Sequence, residues 1–238
     1  MRFSFSLLVL MAAGLVLEHA YAKSDGKTYV TARTGVSWVA QDGLEATNPR
    51  LAGVTGQNDA DTHVPFAVAV GRKLDEGPVR VELEYCDRHK SQYRADTIGV
   101  DPTSGTGFSG INNIEVWSTS FMLNAFYEVT GHRVNPFVQI GVGWFINKAQ
   151  ATQVYQLPQY TGPFLAGTTW AETSRFDCAW SVGGGASAPI GHHVDIDLGY
   201  RWVALGKYTL GPDLVFGDEV FSANLNAHEI YVGARYGF

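Results

Sequence analysis

Few side chains in this 238-residue sequence are spaced as catalytic or ligand-binding chemistry would require, and each grouping has a plainer structural use. His192 and His193, followed by Asp195 and Asp197, are of metal-ligand type, but adjacent histidines on a tight turn point to different sides and cannot share a coordination shell. The run Gly183-Gly184-Gly185 lacks the Lys and Ser/Thr that complete a phosphate-binding loop, and fits a strand whose backbone is closely approached. Asp87, His89 and Asp177 fall near strand ends on one rim, with no Ser set beside a His in a recognisable motif, so the geometry of a nucleophilic site is not indicated. No catalytic, metal or cofactor residue is assigned, and a non-enzymatic protein is expected. The remaining candidates are charges: Arg33, Arg80, Glu82, Glu84, Asp195, Asp197, Arg201, Glu229 and Arg235, each embedded in a run of alternating polarity.

Those runs define the elements that must hold the charges. In Val79 to Asp87, Val79, Val81, Leu83 and Tyr85 lie on one parity and Arg80, Glu82 and Glu84 on the other, so period 2 sends them to opposite faces of a strand. Val194 to Val203 and Glu229 to Phe238 repeat the pattern. Thr28 to Ala40, Pro65 to Lys73, Trp117 to Tyr127, Asn135 to Ile146 and Phe176 to Ala188 follow it less perfectly, giving eight strands. Short turns join strands two and three (Asp75-Glu76-Gly77), four and five (Glu128 to Arg133) and six and seven (Pro189 to His193), with Gly or Pro at the bends. Long connections alternate with them, over Gln41 to Val64, Lys90 to Glu115, Asn147 to Arg175 and Ala204 to Ala223. Strict alternation of short turns and long loops is the pattern of a transmembrane barrel with periplasmic turns and extracellular loops.

Composition points the same way. Charged residues make up 17% of the chain, below the usual quarter or so of a soluble protein, while 27 Gly, 6 Trp, 11 Tyr and 13 Phe enrich it in rings and small residues. Beyond the N-terminus no stretch approaches the roughly 20 apolar residues of a membrane-spanning helix. The net charge of -6 gives no basic surface for nucleic acid. At the N-terminus, Arg2, the apolar run Phe3 to Leu17 and the small-x-small triplet Ala20-Tyr21-Ala22 predict a cleaved signal peptide over residues 1–22 and a barrel domain over 23–238.

A lipocalin-like soluble barrel would also alternate, with its apolar face inward. The polar parity here is instead filled with Gly, Ala, Ser and paired charges, which suits a narrow lumen packed by side chains. Aromatic residues on the apolar parity at strand ends (Trp38, Tyr85, Trp117, Tyr127, Trp144, Trp202 and Tyr236) suit two interfacial girdles. The expectation is an all-β, eight-stranded antiparallel up-and-down transmembrane barrel with four long extracellular loops and three short periplasmic turns. Its partner is the outer-membrane lipid bilayer of a Gram-negative cell, and a monomer is expected. Inward charges in so narrow a space must pair: Arg201 with Glu229 nearer the outside, Asp197 with Arg235 nearer the periplasm, and Arg80, Glu82 and Glu84 in another cluster. Cys86 points inward and Cys178 outward on distant strands, too far apart for the roughly 7 Å that a disulfide permits.

Val194-Asp-Ile-Asp-Leu-Gly-Tyr-Arg-Trp202, followed after a loop by Ala227-His-Glu-Ile-Tyr-Val-Gly-Ala-Arg-Tyr-Gly-Phe238, resembles the last two strands of the neisserial opacity adhesins and the wider opacity-type, OmpA-like eight-stranded outer-membrane proteins. Asn135 to Gly143 is similar to their fifth strand and Val79 to Tyr85 to their third. The resemblance covers the strands and none of the four loops. It implies a surface protein that presents its loops for adhesion, with a host-cell receptor as partner; a small passive porin or a structural envelope barrel is the alternative. Ile230, Val232, Ala234, Tyr236 and the terminal Phe238 are similar to the signal read by the barrel assembly machinery. Tyr155, Tyr160, Phe164 and Trp170 in the third loop are the candidate contact residues, because exposed Tyr and Trp mark recognition surfaces.

Overall fold

The computed structural model describes residues 27–47, 51–58, 60–74, 77–100, 105, 107–156, 170–211 and 220–238. The signal-peptide segment lies outside them, as do Tyr160 and Phe164. Ten strands run in order: β1 (Thr28–Ala46), β2 (Leu51–Asn58), β3 (Ala60–His63), β4 (Phe66–Lys73), β5 (Val79–Val100), β6 (Gly107–Glu128), β7 (Asn135–Gln156), β8 (Thr173–Pro189), β9 (Val194–Leu210) and β10 (Phe221–Gly237). Each neighbour pair from β4 to β10 is antiparallel, β1 pairs with β4, and β10 pairs back onto β1 from Tyr29 opposite Gly237 to Ala46 opposite Phe221. The sheet closes on itself, which leaves no unpaired edge at the level of the ring.

Ten strands occupy eight positions around this ring. β4, β3 and β2 share the second position: β4 pairs with both β1 and β5, β3 pairs with β1 alone, and β2 pairs with β5 alone. The break falls at Val64-Pro65, where a proline cannot donate to a ladder, and Thr34 Oγ1 donates to the Pro65 carbonyl at 3.1 Å.

The lower half of the ring is dressed as the alternation predicts. Leu83, Leu123, Val138, Ile140, Val142, Leu198, Ile230 and Val232 all face outward, and Ile140 is 65% exposed. A continuous apolar belt of this size is stable only in hydrocarbon. Above it stand the outer-girdle rings, with Trp180 and Trp202 edge-on at 4.7 Å and Trp144 stacked with Phe176 at 6.5 Å. Tyr127 and the Tyr236–Phe238 pair lie at the opposite rim.

The connections depart from expectation. Two of the four long loops, 41–64 and 90–115, are largely strand, and β7 carries a third as far as Gln156: β5, β6 and β7 each run 22 residues, about twice the 9–11 that cross a bilayer, and residues 41–64 carry β2, β3 and the top of β1. The cause lies in the inward parity. Above the girdle it turns apolar, with Tyr93 and Ala95 on β5, Ile114 and Val116 on β6, Ala149 and Ala151 on β7, Leu205 and Leu210 on β9, and Phe221, Ala223, Leu225 and Ala227 on β10, all buried in one cluster. The outward parity turns polar in the same step: Gln92 and Arg94, Asn113 and Glu115, Gln150 and Thr152. Strand pairing continues because burial rewards it on the inside and water accepts the outside.

Candidate functional site

Two features are candidates for function: the charged lumen at membrane level and the crown of strands above it.

The lumen is lined from five strands. Going down from the outer end, Arg88 donates from Nε to Glu229 at 2.7 Å, and Glu229 also receives Arg201 Nε at 2.6 Å. Arg201 Nη1 reaches Glu84 at 2.6 Å, and Glu84 accepts Arg33 Nη1 at 2.7 Å. Arg33 bonds on to Glu82, which also takes Arg80 and the Tyr29 hydroxyl, the last at 3.0 Å. Arg80 continues to Glu128 at 3.1 Å and Asp197 at 3.3 Å. Arg235 ends the series, lying 2.8 Å from Asp195, 3.4 Å from Glu128 and 3.7 Å from Asp197. Five guanidiniums and six carboxylates thus alternate in one connected ladder through the barrel.

Aromatic faces insulate its rungs. The Arg80 guanidinium carbon lies 3.7 Å from the centre of the Phe126 ring, and Arg88 lies over Phe145 at 5.6 Å. Two glycines make room for tyrosines that reach into the lumen: a Cβ at Gly71 would fall 2.4 Å from the Tyr29 ring, and one at Gly199 would fall 2.4 Å from the Tyr231 ring. Arg80, Arg88, Arg201 and Arg235 are all but fully buried. A cavity of about 10 Å³ lined by Arg33, Cys86, Arg201, Glu229 and Tyr231 has room for no more than about one water.

All nine charges expected in the lumen line it, Asp195 at its periplasmic mouth. Arg201 and Glu229 face each other in register. The lower pairing is shifted by two residues: register places Arg235 opposite Asp195, and Asp197 sits closer to Arg80 than to Arg235. Two members were not foreseen. Arg88, which falls just past the third expected strand, is wholly buried, and Glu128, read as the start of a turn, closes the base. Both continue the inward parity of their strands, Arg88 after Glu82, Glu84 and Cys86, and Glu128 after Asn124 and Phe126, so extending the alternation by one residue would have found them. Cys86 is buried in the lumen and Cys178 faces outward, both as free thiols.

Trp170 corrects the expectation of a contact residue. It is 1% exposed, its backbone N–H donates to the Ala151 carbonyl at 2.8 Å, and its ring lies 5.0 Å from that of Phe221. It plugs the crown because the apolar interior there outcompetes water for an indole. Tyr155 is the last residue but one of β7, its backbone opposite Gly110. Ile230, Val232, Ala234 and Tyr236 face outward on β10, and the Phe238 amide donates to the Thr28 carbonyl at 3.0 Å.

The crown also brings together a serine and a histidine that the sequence does not place side by side: Ser91 Oγ lies 3.5 Å from His63 Nδ1. Both oxygens of the nearby Asp61 accept backbone amides, His63 Nε2 has no hydrogen-bond partner, and among the described residues no carboxylate orients the imidazole as a nucleophile's base requires. His192 and His193 are exposed on their turn, and among the described residues no cluster of His, Cys, Asp or Glu is arranged to hold a metal. Outside the crown wall, Glu115 accepts Lys90 Nζ at 2.6 Å and Gln150 Nε2 at 2.8 Å. The hydrogen bond from the Lys90 ammonium holds the Glu115 carboxyl below the usual range of a glutamate.

Known proteins match this architecture. The family described as outer membrane protein beta-barrel domain matches residues 5–238. Outer membrane protein PagN of Salmonella typhimurium is 25% identical over 248 residues, covering 94% of this chain and 95% of its own length. Among solved structures, OprG of Pseudomonas aeruginosa superposes with a TM-score of 0.47 at 12% identity, covering 88% of this chain and 96% of OprG. Neisserial surface protein A superposes with a TM-score of 0.44 at 15% identity, covering 90% and 98%.

Proposed function

Since the chain belongs to the outer membrane β-barrel family and resides in the outer membrane of a Gram-negative cell, we propose that it is a surface-recognition protein whose working part is the crown, with the barrel serving as its mount. The observation that carries this reading is the division of length: strands of 22 residues spend about half of it beyond the bilayer. That half forms a folded platform with a polar outer wall, and Tyr155 near the end of β7 and Tyr160 and Phe164 in the connection that follows it are the proposed contact residues. A host-cell receptor is the partner such a platform suits. In this reading the chain is not an enzyme, functions as a monomer after removal of residues 1–22, and is inserted by the barrel assembly machinery through Ile230, Val232, Ala234, Tyr236 and Phe238.

The test compares adherence to cultured epithelial cells of bacteria displaying the intact chain and bacteria displaying a chain in which residues 157–169 are replaced by a short Gly-Ser linker. Loss of adherence by the replaced chain at equal surface level supports recognition through this loop; an intact chain that gives adherence no greater than that of cells lacking the protein sinks the proposal. The second reading, a small passive porin, is opposed by the charge ladder and the apolar cluster, which fill the inside of the ring at two levels. Large, steady conductance of the purified protein in planar bilayers would reinstate it.

A further inference from the structure

The wall of the crown is not continuous. On β5 the ladder with β4 ends at Asp87 opposite Phe66, and the ladder with β2 resumes at Arg94 opposite Asn58; among the described residues no backbone pairing joins β3 to β5 between them. On the far side, the β8–β9 ladder ends at Trp180 opposite Ala204, while β8 rises to Thr173 and β9 to Leu210 without pairing to each other. In the eight-position ring these gaps lie between the second and third positions and between the sixth and seventh, so they are diametrically opposed. They divide the crown into two leaves, β2–β5–β6–β7–β8 and β9–β10–β1–β3, facing each other across the apolar cluster and joined across the first gap by the chain between Asn58 and Ala60. The barrel below becomes a β-sandwich above.

Each gap is spanned by the same device. Asp61 accepts the amide of its own neighbour Thr62 through Oδ1 at 2.8 Å and the amide of Gln92 across the gap through Oδ2 at 2.7 Å. Asp177 accepts the amide of its own neighbour Cys178 through Oδ1 at 2.8 Å and the amide of Lys207 across the gap through Oδ2 at 3.2 Å. In both cases the receiving strand is irregular just before the accepted amide. β5 shifts register between Arg88 and Ser91, and β9 carries Gly206 at φ 68°, where a Cβ would fall 2.9 Å from Asp177. The surroundings differ: Ser91 and His63 lie beside the first carboxylate, while Arg175 Nε sits 3.6 Å from the second and also bonds Thr209 Oγ1 from Nη1 at 3.2 Å.

We propose that Asp61 and Asp177 are paired catches closing two opposed seams, and that the crown opens along these seams as two leaves while the ring at membrane level stays shut. A carboxylate that accepts two amides satisfies edge groups that no ladder reaches, and local opening favours regions held by side chains over regions held by continuous backbone ladders. Opening bares the apolar inner faces of both leaves to the cell exterior. The inference concerns the mechanics of the crown and stands whether or not the crown binds a receptor.

Amide hydrogen exchange of the protein in lipid nanodiscs tests it, with Asp61→Ala, Asp177→Ala, the double variant and Asp61→Asn compared with the parent. Each alanine variant is expected to speed exchange at its own catch, Gln92 or Lys207, by at least tenfold. The double variant extends the gain to the crown segments of β5, β7 and β9 while residues 80–86 and 229–235 keep their protection. Asp61→Asn, which retains one carbonyl acceptor, is expected to fall between parent and alanine. Unchanged exchange at both amides would overturn the proposal, and so would loss of protection at crown and membrane levels together. A variant that fails to insert is recognised by the loss of heat-modifiable gel mobility, and the asparagine variant then carries the test.

Discussion

One set of strands builds two interiors of opposite character. At membrane level the inward residues are five arginines and six carboxylates, and the outward ones are Leu, Ile, Val and rings; above the girdle the inward residues are Leu, Ile, Tyr and Phe, and the outward ones are Gln, Asn, Lys, Arg and Glu. Neither the parity nor the ladder breaks where the change occurs on β10, where Glu229 and Ala227 point inward two residues apart and Ile230 and His228 point outward. What changes is the solvent outside. A strand in lipid must turn its apolar face out and keep polar groups among themselves, whereas a strand in water does the reverse. Polarity inversion along a single alternating strand therefore marks the height at which a barrel leaves the bilayer.

Damage to each interior should have its own signature. The largest expected effect is at the hub of the charge ladder: Glu229→Ala leaves Arg88 and Arg201 without their shared carboxylate and should cost about 3–5 kcal/mol, measured by urea unfolding in lipid vesicles. A much smaller loss there would mean that water solvates the lumen. In the crown, Leu205→Ala removes a fully buried side chain and should cost about 3 kcal/mol, but the loss should appear as faster amide exchange above the girdle, with the membrane-level segments unaffected. Equal effects at both levels would show that the two interiors melt as one. Gly206→Ala, at positive φ and against Asp177, is expected to lower crown stability by about 1 kcal/mol, read by the same exchange experiment. The smallest effect belongs to the outer wall. Lys90→Ala should shift stability by about 0.2–1 kcal/mol. Because the Glu115 carboxyl is held low in the folded protein, its contribution is present above the unfolded-state pKa of a glutamate and disappears as pH falls through the folded one. The Lys90 variant should therefore differ from the parent at neutral pH and converge with it in acid.

The closed antiparallel ring and the parity of its charges could be read from the sequence because lipid enforces alternation without exception from Val79 to Tyr85 and from Glu229 to Tyr236. The crown could not be read in the same way. A search for apolar-out alternation ends where the rule inverts, so Ile114, Ala149 and Leu225 look like scattered loop residues although they keep the parity of the strand, and on β5 the irregularity between Arg88 and Ser91 moves Tyr93 to the other parity as well. Arg88 and Glu128 were missed for a related reason: each sits at the last inward position before a bulge or turn, where the pattern is shortest. Trp170 was misplaced because an aromatic in a long connection reads as exposed until the cavity it fills is known. The pairing partners of Arg80 and Arg235 depend on the shear of the closed sheet, which no single strand encodes.

The charge ladder also bears on how such a barrel changes over generations. Each carboxylate from Glu229 down to Glu128 serves at least two arginines, apart from Asp195, so a lost or reversed charge strands its partners in a site that water scarcely enters. Substitutions there are tolerated only in matched sets: a descendant lacking Glu229 must also have altered Arg88 or Arg201. The lipid-facing positions carry no such bond, and pairs on the crown wall such as Lys90 with Glu115 stand in water, so both are expected to drift one at a time. The lumen is therefore inherited as a block, and its members should vary together among relatives even where the strands around them share little identity.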